Sequence, residues 1–400
     1  MLPVVTLKPG HIQPVWSGHP WVFAQAIAHV EGGALPGDEV RVLDPHGGFL
    51  GRGLYTPRSS IPVRIVTRDD VPIDGALIRK RIERAIAVRR DLGLPGGAHG
   101  HETTGYRLVH AEGDGLPGLI VDVLGDVLAV QIGTVGMKRR EGLVFDALLH
   151  ALSPRAILDR TSQGAAKMEG FEAASGVVRG DATLSSLSFQ ERGFAFDLPL
   201  ALGQKTGFYF DQRTLRARVE QLAHGKRVLD TYAFVGTIAM AAARGGATEI
   251  VAVDESALAL EVGAEQARRN GLAERIAMRK KDARHALAEA SAEGGYDLVI
   301  CDPPKLAPTR GAKDGATGAY RAVASAGCRA TKPGGVLVLC SCSSAMGLDD
   351  LTRALALGAR DARTSATIFD RCFQGADHPV PAAFPEGLYL KCLLARIDPL

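Results

Sequence analysis

Cysteine is absent from Met1 to Ile300; all six cysteines stand at Cys301 or later. That excludes a disulfide framework for the N-terminal half and suits a reducing, cytoplasmic setting. Long apolar runs are missing too. None reaches the roughly 18 residues that cross a bilayer, so no membrane-spanning helix is expected. Met1-Leu2-Pro3-Val4-Val5 lacks a charged stretch ahead of an apolar one, so no signal peptide is read. Internal repeats and low-complexity tracts are also wanting. His99 and His101 lie in a Gly- and His-rich stretch, but no Cys or carboxylate pattern of ligand spacing accompanies them, so no metal is expected. A large excess of one charge is lacking: the net charge is +3 and the pI about 8.5. Such a balance permits a nucleic-acid partner without demanding one.

What is present is an ordinary globular composition in 400 residues, 46% hydrophobic and 23% charged, which argues for two or three domains. From Leu2 to Val66 short β runs alternate with Gly- and Pro-containing turns, as in a small barrel. Trp21 reads as core packing there, and Arg52, Arg58 and Arg64 as either solvated or RNA-facing. After a linker at Pro72–Asp74, Asp74 is placed to cap a helix from Gly75 to about Leu92. Its apolar stripe is Leu77, Ile78, Ile82, Ala85 and Ile86. Arg79, Lys80, Arg84, Arg89 and Arg90 decorate the rest, a charged face that meets solvent or phosphates. Three strands between Tyr106 and Ile132, a helix near Lys138–Leu152, and strands near Ala156–Leu158 and Phe189–Phe196 make an α+β middle domain. No catalytic constellation is visible in it.

Beyond Leu198 strands and helices alternate, which predicts a parallel sheet with crossover helices. Phe369–Phe373 and Tyr389–Leu394 read as a closing antiparallel pair. In such a sheet ligands collect outside the carboxyl ends of the strands. Asp230 ends the first strand, and Gly236 six residues later opens a helix. A glycine there lets a ligand approach the backbone, and the helix start offers N–H groups. The strict Gly-x-Gly-x-x-Gly fingerprint of dinucleotide sites is missing, which suits S-adenosylmethionine, a ligand without phosphate. Asp254 stands at the next strand end, at about the spacing from Gly236 of a ribose-binding acid. Asp282 ends the third strand, as an adenine contact or as a helix cap. Asp302-Pro303-Pro304-Lys305 follows the fourth strand. Its prolines fix an extended turn that presents Asp302 to a flat base.

The last parallel strand ends Cys340-Ser341-Cys342-Ser343. With period two, both thiols point to one side if the strand persists. Buried thiols are usually inert packing. A thiolate at the lip of a cleft can instead add to carbon 6 of a pyrimidine and make carbon 5 nucleophilic. Lys305 is the cation available to favour the thiolate. Methylation of an exocyclic amine through the Asp-Pro-Pro turn, and RNA binding without catalysis, are the alternatives.

Several motifs occur together and in order: His19-Pro20-Trp21-Val22-Phe23, Gly51-Arg52-Gly53, Gly113-Asp114-Gly115-Leu116-Pro117-Gly118-Leu119, Lys205-Thr206-Gly207-Phe208-Tyr209-Phe210-Asp211-Gln212-Arg213, Asp302-Pro303-Pro304-Lys305 and Ser341-Cys342-Ser343. Over nearly its whole length the chain resembles the bacterial large-subunit ribosomal RNA methyltransferase I family, which makes 5-methylcytosine in 23S rRNA. The resemblance implies a PUA-like RNA-binding domain over residues 1–72 and a central α+β domain over 73–190. It places a Rossmann-like class I methyltransferase domain over 191–400. It implies S-adenosylmethionine as cofactor and ribosomal RNA or a large-subunit precursor as partner, with no membrane and room for a homodimer. It makes Cys342 rather than Cys340 the nucleophile, with Asp302 and Lys305 beside it. The cofactor set it implies is Lys205, Thr206, Phe210, Asp211, Arg213, Asp230, Tyr232, Gly236, Asp254, Glu255, Asp282, Ala283 and Asp302. Two departures stand out. The family's Phe-Cys-Tyr-Thr-Gly-Gly is here Tyr232-Ala233-Phe234-Val235-Gly236-Thr237, and its two histidines after Ser-Cys-Ser are here Ser344-Ala345. The base that removes the carbon-5 proton is thereby left unassigned.

Overall fold

The computed structural model describes every residue except 99, 203–205 and 307–312, so His99 and Lys205 lie outside the described residues. The chain forms two compact units. One is Met1–Phe208 with Ala376–Gly387; the other is Tyr209–Gly375 with Leu388–Leu400.

The first unit begins with a six-stranded mixed sheet whose members include Val4–Leu7, Glu39–Leu43, Phe49–Tyr55 and Val63–Thr67. Alternation sets its faces. In Glu39–Leu43, Val40 and Val42 point into a core with Val5, Leu7, Val22 and Ile65, while Glu39 and Arg41 stay outside. Of the three arginines singled out, Arg52 donates to Glu39 at 2.8 Å and to Asp70 at 2.6 Å and Arg64 meets Glu169 at 3.4 Å, while Arg58 is exposed.

A 17-residue helix, Gly75–Asp91, follows. Asp74 Oδ1 accepts from the N–H groups of Ala76 and Leu77, both at 3.0 Å, so two otherwise orphaned donors are satisfied. Ile78, Ile82 and Ala85 bury its apolar stripe. Arg89 departs from the expected charged face. It is fully buried, gripping both oxygens of Asp114 at 2.5 and 2.9 Å and donating to the Arg107 carbonyl. A guanidinium is taken inside because each of its three nitrogens finds a fixed acceptor.

That helix packs on a five-stranded sheet containing the three expected strands as Gly105–His110, Leu119–Leu124 and Val127–Ile132. Ala156–Asp159 runs parallel to Val127–Ile132 after the crossover helix Glu141–Leu152. The helix Gln163–Glu169 and the strand Gly176–Gly180 were not anticipated. A hairpin, Ser186–Glu191 with Phe194–Pro199, closes the unit's strands.

The second unit is a doubly wound sheet. Its strands are β1 (Arg227–Thr231), β2 (Glu249–Asp254), β3 (Ile276–Lys280), β4 (Tyr296–Cys301), β5 (Thr331–Ser341), β6 (Thr364–Phe373) and β7 (Lys391–Pro399). Its helices are α1 (Arg213–Leu222), α2 (Thr237–Arg244), α3 (Ala257–Arg269), α4 (Ala283–Ala292), α5 (Lys313–Ala330) and α6 (Leu348–Asp361). The strand order is β3-β2-β1-β4-β5-β7-β6; the first five are parallel and β7 is antiparallel to both its neighbours. The inner parallel strands β1, β2, β4 and β5 are buried and apolar on both faces along their middles, as burial under helices requires, whereas the edge strand β3 is largely exposed. Their core joins Leu229, Val251, Val299, Leu337 and Leu393 to Leu351 and Leu355 of α6. The order reverses between β1 and β4, which opens a crevice at their carboxyl ends.

Candidate active site

The crevice is lined by carboxylates because three neighbouring strands each end in aspartate. Asp230 closes the apolar run of β1, Asp254 that of β2, and Asp302 follows β4, whose Cys301 pairs with Thr231. After β1 the chain turns sharply. Tyr232 and Phe234 both take left-handed backbone angles, at φ 61° and 53°, although neither is glycine. Such strain is held where a site requires it. Gly236, at φ 68°, starts α2; a Cβ there would lie 2.8 Å from Cε of Met278.

Asp230 is 1% exposed. One carboxylate oxygen accepts from the Ala239 N–H at 3.0 Å, and Oδ1 has no hydrogen-bond partner. Burial, with the charges of Asp302 and Asp254 adding to it, pushes this carboxyl up to about 8, against the opposing pull of the Ala239 N–H. Asp254 is held by two backbone donors, Phe234 N–H at 2.8 Å and Ser256 N–H at 2.9 Å, which fix its plane. Asp282 caps α4 through the N–H groups of Arg284 and His285. The Arg284 side chain, with those two donors, holds it well below the usual carboxylate range. The capping reading of Asp282 is thus realised. Glu255 is exposed beside Asp254, and Ala283 is buried in the first turn of α4.

The segment before α1 supplies the other wall. Asp211 is 5% exposed and accepts from the Tyr389 hydroxyl at 2.7 Å. Arg213 lies 5.8 Å from the centre of the buried Phe210 ring. Two residues of this stretch carried no role in the sequence reading. Gln212 donates its amide to Asp302 at 2.8 Å and so orients that carboxylate. Tyr209 packs edge-on to Phe234 at 5.4 Å. Burial, with the charges of Asp211, Asp302, Cys342 and Asp254, raises its phenol strongly. Thr206 belongs to the other unit, where its hydroxyl donates to Asp122.

The two thiols at the end of β5 differ. Cys340 is fully buried opposite Cys392, and burial raises it well above its ordinary value. β5 stops at Ser341, so the condition under which both thiols would share one side is not met; Cys342 lies past the strand and is half-buried. Lys391, the first residue of β7, was missed because nothing local in the sequence marks it. It is 3% exposed, and its Nζ donates to the Ser343 carbonyl at 2.7 Å. Burial pulls the ammonium down to about 8, opposed by the charges of Cys342, Asp350 and Cys392. Lys305 is exposed beyond the prolines.

The residues fit S-adenosylmethionine. A buried carboxylate oxygen lacking a partner suits a cationic ligand. The Gly236 turn admits close approach, and the Asp254 carboxylate is set to accept hydroxyl donors. The family described as S-adenosylmethionine-dependent methyltransferase matches residues 170–387, and a PUA-like domain matches residues 5–68. The fold and crevice are those of an S-adenosylmethionine-dependent methyltransferase. A crystal structure described as a methyltransferase complexed with SAH has the same fold, with a TM-score of 0.85 and 18% identity over 99% of this chain and 100% of that one. Two curated relatives bear the name ribosomal RNA large subunit methyltransferase I. The one from Shewanella denitrificans is 36% identical and the one from Shewanella frigidimarina 35%, each over 98% of this chain and 99% of the relative. The chain belongs to the ribosomal RNA large subunit methyltransferase I family.

Proposed function

We propose that the protein methylates carbon 5 of a cytosine in large-subunit ribosomal RNA, with Cys342 as nucleophile. The observation that carries this reading is the half-buried Cys342 past the end of β5, within the field of the buried ammonium of Lys391. The names of the relatives support the RNA class. S-adenosylmethionine supplies an electrophilic methyl on a sulfonium. Lys391, rather than the exposed Lys305, favours the thiolate of Cys342. The thiolate adds to carbon 6 as the ring nitrogen takes a proton from water, and Asp302, steadied by Gln212, accepts the hydrogen bond of the resulting N–H. Carbon 5 would take the methyl as its bond to the sulfonium sulfur breaks, leaving S-adenosylhomocysteine; a base then removes the carbon-5 proton, the thiolate is expelled, and the ring nitrogen returns its proton to water. Asp230, Gly236 and Asp254 bind the cofactor, with Tyr232 and Asp211 flanking them. Residues 1–72 grip the RNA.

The test is incubation of the protein with unmodified ribosomal RNA and methyl-labelled cofactor, followed by nucleoside analysis. The expected product is 5-methylcytosine. Cys342→Ala abolishes it, by at least about a thousandfold if the residue acts covalently, whereas Cys340→Ala leaves it. Transfer to an exocyclic amine that survives Cys342→Ala would replace this reading. Absence of cofactor binding in calorimetry would leave only RNA binding.

A further inference from the structure

Within the first unit a cavity of about 950 Å³ opens where the barrel meets the carboxyl ends of the middle sheet. That is roomy enough for a nucleotide, at the upper end of the usual range of ligand sites. The barrel contributes Trp21 and Arg64; the middle sheet contributes Gln131, Asp159 and Arg160. Glu112 also lines it and holds the Trp21 indole N–H at 2.8 Å, which fixes the ring on the wall.

The polar atoms here are incompletely satisfied. Asp159 is 1% exposed; one oxygen accepts from the Thr161 N–H at 2.7 Å, and Oδ2 has no hydrogen-bond partner. Arg160 donates from Nη2 to the Leu200 carbonyl at 3.0 Å, leaving Nε unpartnered. Arg64 reaches Glu169 through Nη2 at 3.4 Å, leaving Nη1 unpartnered. Buried polar groups are nearly always paired, so three at one cavity leave hydrogen-bonding capacity that a polar occupant can take up. The occupant must donate to a carboxylate, accept from two guanidiniums and offer a flat face to an indole. A nucleotide does all three: amino or imino hydrogens of a base, oxygens of its phosphate, and a ring that stacks.

We propose that this cavity binds one unstacked, non-reacting nucleotide of the RNA substrate, as a site separate from the one that holds the reacting base. The choice of RNA as the source of that nucleotide rests on the function proposed above; the nucleotide site does not. The test uses the full chain saturated with S-adenosylhomocysteine, so that the cofactor site is filled. Ribonucleoside 5′-monophosphates are titrated at millimolar concentration and followed by saturation-transfer NMR. A fluorescent single-stranded RNA is followed by anisotropy. Arg64→Gln and Arg160→Gln, each checked by thermal melting, are expected to lose the mononucleotide signal. They should weaken RNA binding about tenfold, or about 1.4 kcal/mol, with the affinity for S-adenosylhomocysteine unchanged. Folded variants that bind mononucleotide and RNA as the wild type does would overturn the site. Mononucleotide binding that RNA does not displace would overturn the RNA source. Failure to form 5-methylcytosine would touch neither result, so the two proposals fail separately.

Discussion

Lys391 and Asp230 show how burial sets charge around the crevice. An ammonium at 3% exposure, pulled down to about 8, is still mostly protonated at neutral pH, and it then favours the neighbouring thiolate. Lys391→Met is therefore expected to slow alkylation of Cys342 by iodoacetamide about tenfold near pH 7. The wild-type advantage should fade as the pH rises past about 8. Mass-spectrometric timing of the Cys342 adduct measures this; an unchanged rate would remove Lys391 from the mechanism. Asp230 works in the opposite sense. Its carboxyl is raised to about 8, so the free protein keeps that proton at neutral pH, whereas a cationic ligand favours the ionised form. Cofactor binding should release a proton and tighten as the pH climbs toward about 8, then level off. By the same linkage, Asp230 stabilises the ligand-free fold most in acid, and that contribution is lost as the pH rises through the raised value. Calorimetry in buffers of different ionisation enthalpy reads the released proton, and Asp230→Asn should abolish it. These residues differ in how far the sequence revealed them. Asp230, Asp254 and Asp302 were legible because each ends an apolar run. Lys391 was not, since its role arises from a pairing of β7 with β5 that brings Lys391 opposite Ser341.

Elements were easier to read than the contacts they make. The helix Gly75–Asp91 was foreseen from Asp74 and a 3.6-residue stripe, and Asp74 does cap it. Asp74→Ala should cost about 1 kcal/mol of stability, measured by urea denaturation, while cofactor affinity stays put. Arg89 on that same helix was misplaced, because a basic residue on a charged face gives no local sign of a partner such as Asp114, which follows much later in the chain. The helix α6 went unnoticed. It lacks a side-chain cap at Gly347, although Leu351, Ala354, Leu355, Gly358 and Ala359 recur at helical spacing and form its buried stripe. In the crevice, the alternation of strand and helix was enough to foretell a parallel sheet. The left-handed angles at Tyr232 and Phe234 were not, since neither residue favours them.

At the scale of the molecule, no helix among the described residues is long and apolar enough to cross a membrane. The two units do not divide at a single point in the sequence. The chain leaves the first unit after Phe208 and comes back to it for Ala376–Gly387. In that returning stretch Asp377 accepts from the Arg107 N–H at 3.0 Å, and its carbonyl accepts from Arg89 at 2.8 Å. Phe384 stacks edge-on to Trp21 at 4.6 Å, and Glu386 meets His19 at 3.2 Å. A fragment ending at Phe208 should therefore melt at a lower temperature than the same fragment supplied with a peptide of residues 376–387. Differential scanning calorimetry decides it, and no gain on adding the peptide would contradict the arrangement. For anyone assembling chimaeras, the stretch up to Phe208 is not a free-standing cassette. A graft that exchanges everything after Phe208 also carries off the plug that the first unit needs, so matched parentage extends to a dozen residues near the far end of the chain.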